Sequence, residues 1–157
     1  MKAEPPAALP PPVPLRFEGS VAVLAERTAV WAFLTDPNAL GRITPGFLSA
    51  DVLSPTQHHI THTLPFAQDD AVFSTTVEWL EVVAPERLAL AAHTLMSQQP
   101  VTVTGAVDLR GTRSTDMVFS AEFVLPAAFR SAQRAFMRPL ITRAITTFFK
   151  NLKNELE

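Results

Sequence analysis

Cysteine is absent from this chain of 157 residues. Its absence excludes disulfides, thiolate metal ligands and thiol nucleophiles. No run of about 18 apolar residues occurs, so no bilayer-crossing helix is expected. Glycine is scarce: the five in the chain are spread along it, and no phosphate-cradling loop can be drawn through them. No serine stands in a nucleophile-elbow context. Neither sign of charge dominates, the formal net charge being −2, which argues against a nucleic-acid partner. A basic region followed by an apolar core is missing from the N-terminus, so no secretory signal is read and a cytoplasmic protein is the expectation.

Proline is abundant, and six of the first fourteen residues are proline. Proline donates no ladder hydrogen bond and restricts its predecessor, so residues 1–14 read as an extended tail outside the fold. Pro11, Pro14 and Arg16 fit a PxxPxR docking pattern, against which stands a plain solubilising tail. Residues 15–157 have the size of one domain with one core.

From Leu15 the apolar period is two. Leu15, Phe17, Val21 and Val23 alternate with Arg16, Glu18, Ser20 and Ala22, the pattern of a strand with one wet face. Residues 26–35 read as a short helix burying Val30, Trp31, Phe33 and Leu34. Asp36-Pro37 then opens a second, with Asp36 as cap and Pro37 at the first helical position. Pro45-Gly46 ends it. Strands are expected at 47–54 and 58–66, joined around Ser54-Pro55-Thr56-Gln57, then at 72–83 and 87–95. Two more follow, carrying Val101–Leu109 and Met117–Leu125 and separated by a turn at Gly111. Short strands joined by tight turns imply an antiparallel sheet with one covered face.

The C-terminal stretch 127–157 predicts one long helix. Phe129, Ala132, Phe136, Leu140, Ala144, Phe148 and Leu152 draw an apolar stripe along it. Met137, Ile141, Ile145, Phe149 and Leu156 widen that stripe, so a sheet, or a sheet plus a ligand, is expected beneath. Pro139 falls inside this helix, where its ring and missing N–H predict a kink or break near Arg138. Two readings stay open: a bend that follows the sheet, or a hinge that admits a ligand.

Candidate chemistry centres on His58, His59 and His62. On a helix, His58 and His62 would share a face and could hold zinc; their β-branched neighbours favour strand, which sets them about 13 Å apart. No metal site and no cofactor are therefore expected. His62 shares parity with Ile60 and Leu64 and, if these face inward, is a polar group able to hydrogen-bond a ligand; an outward histidine is the alternative. Thr75 and Thr115 also have inward parity, as have Trp79, Val107 and Phe119. The face of His93 is left open, and Glu78 has outward parity, so no paired carboxylates are supported.

Several strings resemble the START/SRPBCC superfamily, and within it the proteins like the G-type component of carbon monoxide dehydrogenase. They are Phe17-Glu18-Gly19, the run from Val30 to Pro37, Ile43-Thr44-Pro45-Gly46, the run from Val82 to Leu88, Gly111-Thr112-Arg113 and Phe148-Phe149-Lys150-Asn151-Leu152. The resemblance covers about residues 15–153. It implies an α+β helix-grip fold: a curved antiparallel sheet of about seven strands wrapped around a long C-terminal helix, with two short helices after the first strand. It further implies a mostly apolar cavity between sheet and helix. Members bind lipids, sterols, quinones or polyketides, and a minority catalyse cyclisation or hydrolysis. Relatives of the carbon monoxide dehydrogenase component are linked to molybdenum-containing dehydrogenases at membranes.

On this basis His62, Thr75, Trp79, Val107, Thr115, Phe119, Phe129, Phe136, Leu140 and Phe148 are expected to line a ligand cavity. The leading function is binding or carrying a small hydrophobic molecule, a membrane-linked oxidoreductase being the client that the resemblance suggests. A cyclase or hydrolase in the same cavity is the alternative, and that enzyme reading rests on the breadth of the family alone. A structural protein with a filled core is a third. Residues 127–157 carry six cations against two acids. Arg130, Arg134 and Arg138 are spaced by four, which suggests contact with an anionic membrane surface or an acidic protein; an ordinary solvated face is the alternative.

Overall fold

The computed structural model describes residues 14–63, 71–96, 98–126 and 131–157, with side chains on the last segment from Ala135 onward. The tail up to residue 13 lies outside them. Strand β1 (Leu15–Val23) is followed by α1 (Arg27–Leu34) and α2 (Pro37–Ile43). Then come β2 (Phe47–Val52), β3 (Gln57–His62), β4 (Phe73–Val83), β5 (Arg87–Met96), β6 (Gln99–Arg110) and β7 (Thr115–Val124). Helix α3 (Ser131–Leu156) closes the chain.

Local chemistry accounts for the joints. Asp36 accepts a hydrogen bond from the Asn38 N–H at 3.0 Å and Pro37 occupies the first turn of α2, which satisfies one orphan donor and removes another. At the β6–β7 turn Gly111 has φ +97°, and a Cβ there would collide with the Ser114 carbonyl oxygen. The expected glycine turn is thus a steric requirement.

All strands form one antiparallel sheet in the order β1-β7-β6-β5-β4-β3-β2. Five strands meander from β2 to β6, β7 continues them, and β1 returns to pair with β7. Both sheet edges, β1 and β2, therefore come from the first third of the chain. Irregularities between Phe47 and Ser49 and between Trp79 and Glu81 supply local twist that helps the sheet curl. The helix-grip α+β fold implied by the resemblance is the observed one.

Two apolar clusters hold α3 to the inner face. At one end Val23, Leu88, Leu109 and Met117 of the sheet meet Val30, Leu34, Ile43 and Leu152, with Trp31, Phe33, Trp79, Val107, Phe148 and Phe149 packed around them. Leu152 is fully buried, and each such side chain contributes about 1.5–3 kcal/mol. At the other end Leu15, Phe17, Val101 and Leu125 meet Met137 and Ile141. The Asn151 side chain donates to the Ile43 carbonyl, tying α3 to α2.

The helix departs from its expected orientation near its start. Phe136, placed in the buried stripe by its spacing, is 67% exposed, whereas Met137 and Ile141 face the core. Apolar residues come in doublets here, Phe136-Met137, Leu140-Ile141 and Phe148-Phe149, and the sheet takes the second member of the first two. Helix α3 continues through Pro139 without a break, with Arg138 and Pro139 both exposed. The lost hydrogen bond thus falls on the solvent side, where water can replace it.

Candidate functional site

Strand register decides which side chains face the helix. His58 pairs with Val77, Ile60 with Thr75 and His62 with Phe73. Thr75 in turn opposes Thr94, Val77 opposes Ala92, and Ala92 opposes Val103. Because cross-strand partners share a face, His58, Ile60, His62, Phe73, Thr75, Ala92, Thr94 and Val103 all lie on the side that carries α3. His59, Thr76, His93 and Thr102 form a row on the opposite, outer face, where Thr76 and Thr102 hydroxyls lie 3.1 and 3.4 Å from the Nδ1 atoms of His59 and His93. The open question of His93 is thereby resolved: it points out.

Among the described residues, Leu140, Phe136, Ile60, Phe73 and Val103 belong to neither core cluster. Helical geometry, about 100° per residue, places Phe136 and Leu140 on one flank of α3 and Arg138 on the other. Beyond the two clusters the inner face continues over the β3–β5 half of the sheet. That half is apolar apart from threonine hydroxyls and His62, with the buried His58 further along β3.

His62 and Thr75 are paired. The His62 Nδ1 lies 3.1 Å from the Thr63 carbonyl oxygen and its Nε2 lies 2.5 Å from the Thr75 hydroxyl. A carbonyl can only accept, so Nδ1 carries the proton in the neutral ring. Nε2 is then an acceptor, and the Thr75 hydroxyl donates to it. Both nitrogens of His62 are therefore engaged within the protein. The Thr75 oxygen, its one proton directed at His62, keeps a lone pair available. The sequence pointed to His62 as a ligand-facing group; in the structure both of its ring nitrogens are hydrogen-bonded within the protein.

The remaining expected lining residues divide. Thr115 is fully buried and its hydroxyl donates to the Ala25 carbonyl at 2.8 Å, tying β7 to the β1–α1 connection. Trp79, Val107 and Phe148 pack against the first core cluster. Phe119 stacks against Phe149 with ring centroids 4.7 Å apart, on the Arg138 flank of the helix. Phe129 lies outside the described residues. Of the arginine stripe, Arg130 and the Arg134 side chain also lie outside. Arg138 sits 5.0 Å over the Phe17 ring and donates to the Arg16 carbonyl at 3.4 Å, clasping the β1 edge.

His58 was weighed only as half of a metal pair. It is 3% exposed, 5.7 Å from Trp79 between ring centroids, and burial lowers its pKa below 6.5. Among the described residues no cluster of three or more metal-ligating side chains occurs, and no described helix is long and apolar enough to cross a membrane.

A family model described as polyketide cyclase / dehydrase and lipid transport matches residues 14–157. The chain belongs to that family. Solved structures similar to this polyketide cyclase/dehydrase-type domain include a conserved protein from Geobacillus kaustophilus, 19% identical with a TM-score of 0.78, covering 90% of this chain and 95% of that one. A START superfamily protein from Mycobacterium smegmatis is 11% identical with a TM-score of 0.69, covering 90% and 96%. The Zhui aromatase/cyclase from Streptomyces sp. R1128 is 17% identical with a TM-score of 0.68, covering 92% and 94%. Identities this low establish the shared START-type fold. Among curated proteins none matches the sequence significantly.

For this polyketide cyclase/dehydrase-type domain, the expected lining residues left out Phe73, Thr94 and Val103, which share the inner face with Thr75. Strand parity with Thr75, Ala92 and Val101 was the available signal.

Proposed function

We propose that this domain binds a small, mostly apolar molecule between the Phe136–Leu140 flank of α3 and the β3–β5 half of the sheet, and that the molecule presents a hydroxyl to the Thr75 oxygen. The carrying observation is the His62–Thr75 pair, set on a mostly apolar inner face beside residues that neither core cluster absorbs. A lipid, a quinol or a polyketide-like phenol meets that description, in keeping with the family's description. Sparse polar groups in apolar pockets fix orientation, and an acceptor whose donor proton is already committed favours a ligand O–H over a ligand C=O. Carriage rather than catalysis is the reading preferred, since binding requires only volume, an entrance and this one contact. A membrane-linked oxidoreductase as the client of the bound molecule rests on the likeness to the carbon monoxide dehydrogenase component.

The test uses 2-naphthol and its methyl ether, which differ in one donor proton, with binding followed by fluorescence. The parent should favour the naphthol by roughly three- to tenfold, the range of one net hydrogen bond. Thr75→Val keeps the shape and removes the oxygen, so the preference should vanish while the ether binds as before. Equal affinity of both probes for the parent, or an unchanged preference in Thr75→Val, would refute the assignment.

A further inference from the structure

The free edge of β1 is held near both ends, once by α3 and once by the residue that follows it. The Arg138 guanidinium donates to the Arg16 carbonyl at 3.4 Å, and the Leu24 N–H donates to the Glu157 carboxylate at 3.5 Å. Both backbone groups point away from β7. The β1–β7 register is unbroken from Leu15 to Val23, and in an antiparallel strand alternate residues direct their N–H and C=O to the same side. Glu18, Ser20 and Ala22 therefore also turn their backbone groups to the free edge. Among the described residues no side chain bonds to them.

The two clasps also set the helix direction. From Arg138 to Glu157 α3 rises about 29 Å at 1.5 Å per residue. From Arg16 to Leu24 β1 advances about 26 Å at 3.3 Å per residue. Helix and edge strand thus run alongside each other in the same direction. Between the clasps lies a groove of 580 Å³, whose walls include Gly19, Ser20 and Val21 of β1 and Ile145, Phe149, Lys150 and Lys153 of α3. Its floor is apolar, one wall is an unpaired strand edge, and its rim carries Lys150 and Lys153 together with Glu157. Lys153 is 3.9 Å from Glu157, whereas Lys150 has no ion-pair partner among the described residues.

We propose that this groove docks an extended segment of a partner protein, which adds as an eighth strand on β1 and carries an acidic residue two positions from an apolar one. The backbone of the segment pairs with Glu18, Ser20 and Ala22; its inward apolar side chain enters the floor at Ile145 and Phe149; its carboxylate meets Lys150. An unpaired edge selects a strand over a helix, and Lys150, unpaired among the described residues, selects acid. A second copy of this chain fits less well. Pairing β1 to β1 about a twofold axis would set Lys150 and Lys153 against the same lysines of the other copy, a like-charge contact. The groove shares no lining residue with the site proposed for the small molecule, so the proposal is independent of the ligand reading.

The test uses the full chain and a fluorescent, capped nine-residue peptide. Threonine fills its outward positions, and valine alternates with glutamate at the inward ones. Anisotropy should report saturable binding. Affinity should fall about tenfold for the peptide with lysine in place of glutamate, and by a similar factor when Lys150→Glu reverses the rim charge. Methylating the peptide nitrogens that face β1 should abolish binding without any change to the protein. Indifference to Lys150→Glu or to N-methylation would overturn the proposal, as would sedimentation showing a concentration-dependent dimer that excludes the peptide. Lys150 is exposed, so its substitution leaves the core intact; a cooperative melt matching the parent's confirms that any loss is local.

Discussion

Leu140 and Ile141 are neighbours on α3 and offer a direct measure of whether the Phe136 flank faces open space. Ile141 is buried and packs with Leu15, Phe17, Val101, Leu125 and Met137, whereas Leu140 is half-buried and belongs to neither cluster. Truncating a fully packed branched side chain costs the lost transfer energy plus a cavity, about 3 kcal/mol in mid-range. Alanine's better helix propensity returns a few tenths, leaving somewhat less for Ile141→Ala. For Leu140→Ala, half the side chain already touches solvent or vacant volume and no new void is sealed, so about 1 kcal/mol is expected. At this chain length each kcal/mol moves Tm by about 3 °C. The pair should therefore separate by about 5 °C in a thermal melt and by about 2 kcal/mol in urea. A saturating hydrophobic probe should raise Tm of the parent and do so less for Leu140→Ala. Equal losses from the two substitutions, with no probe-induced shift in the parent, would mean that the flank is as filled as the core and would remove the chamber from the functional account.

Two further predictions concern stability. His58 is buried with a pKa lowered by desolvation, so the folded state prefers the neutral ring and the unfolded chain binds more protons in acid. Its contribution is full above 6.5 and declines as pH falls through 6.5 toward the folded-state value, so His58→Leu should narrow the stability gap between about pH 7.5 and about pH 5 in urea titrations. An unchanged gap would place the acid sensitivity elsewhere. Gly41→Ala should cost about 1–3 kcal/mol, because its Cβ would collide with the Phe47 ring; a melt within about a degree of the parent's would show that the ring moves aside freely.

Much of the architecture was legible because its signals are local. Alternation in Leu15–Val23 and in Thr115–Val124, the Asp36-Pro37 start and the Gly111 turn each report on a handful of neighbouring residues. Inner-face parity also carried over: His62 and Thr75 stand where alternation put them. What spacing alone could not supply depends on distant partners. Thr115 has the expected parity, but its hydroxyl is claimed by the Ala25 carbonyl ninety residues earlier in the chain. Spacing could not say whether Phe136 or Met137 faces the sheet, since both lie on apolar stripes and only the position of β1 and β6 decides. Trp79 and Val107 have inward parity, yet which end of the inner face is filled depends on where Ile43 and Leu152 arrive. Strand pairing likewise turned the His58–His62 spacing, a metal question in one dimension, into a buried ring beside Trp79 and a hydrogen-bonded partner for Thr75.

The pairing of the first strand with the seventh has a consequence for synthesis. Leu15 opposes Phe123 across a ladder spanning most of the chain, so β1 leaves the ribosome long before the strand that will hold it. Strands β2 to β6 can assemble pair by pair as they emerge, since each lies beside its neighbour in sequence. Strand β1 must wait with both edges bare until β7 appears, and even then neither apolar cluster closes, because Ile141 and Leu152 come last. A topology with this high a contact order folds slowly and exposes strand edges meanwhile. The alternation of Arg16, Glu18 and Ser20 with the apolar residues of β1 then acts as a guard, keeping the waiting strand charged on one face until the end of the chain arrives to lock it in place.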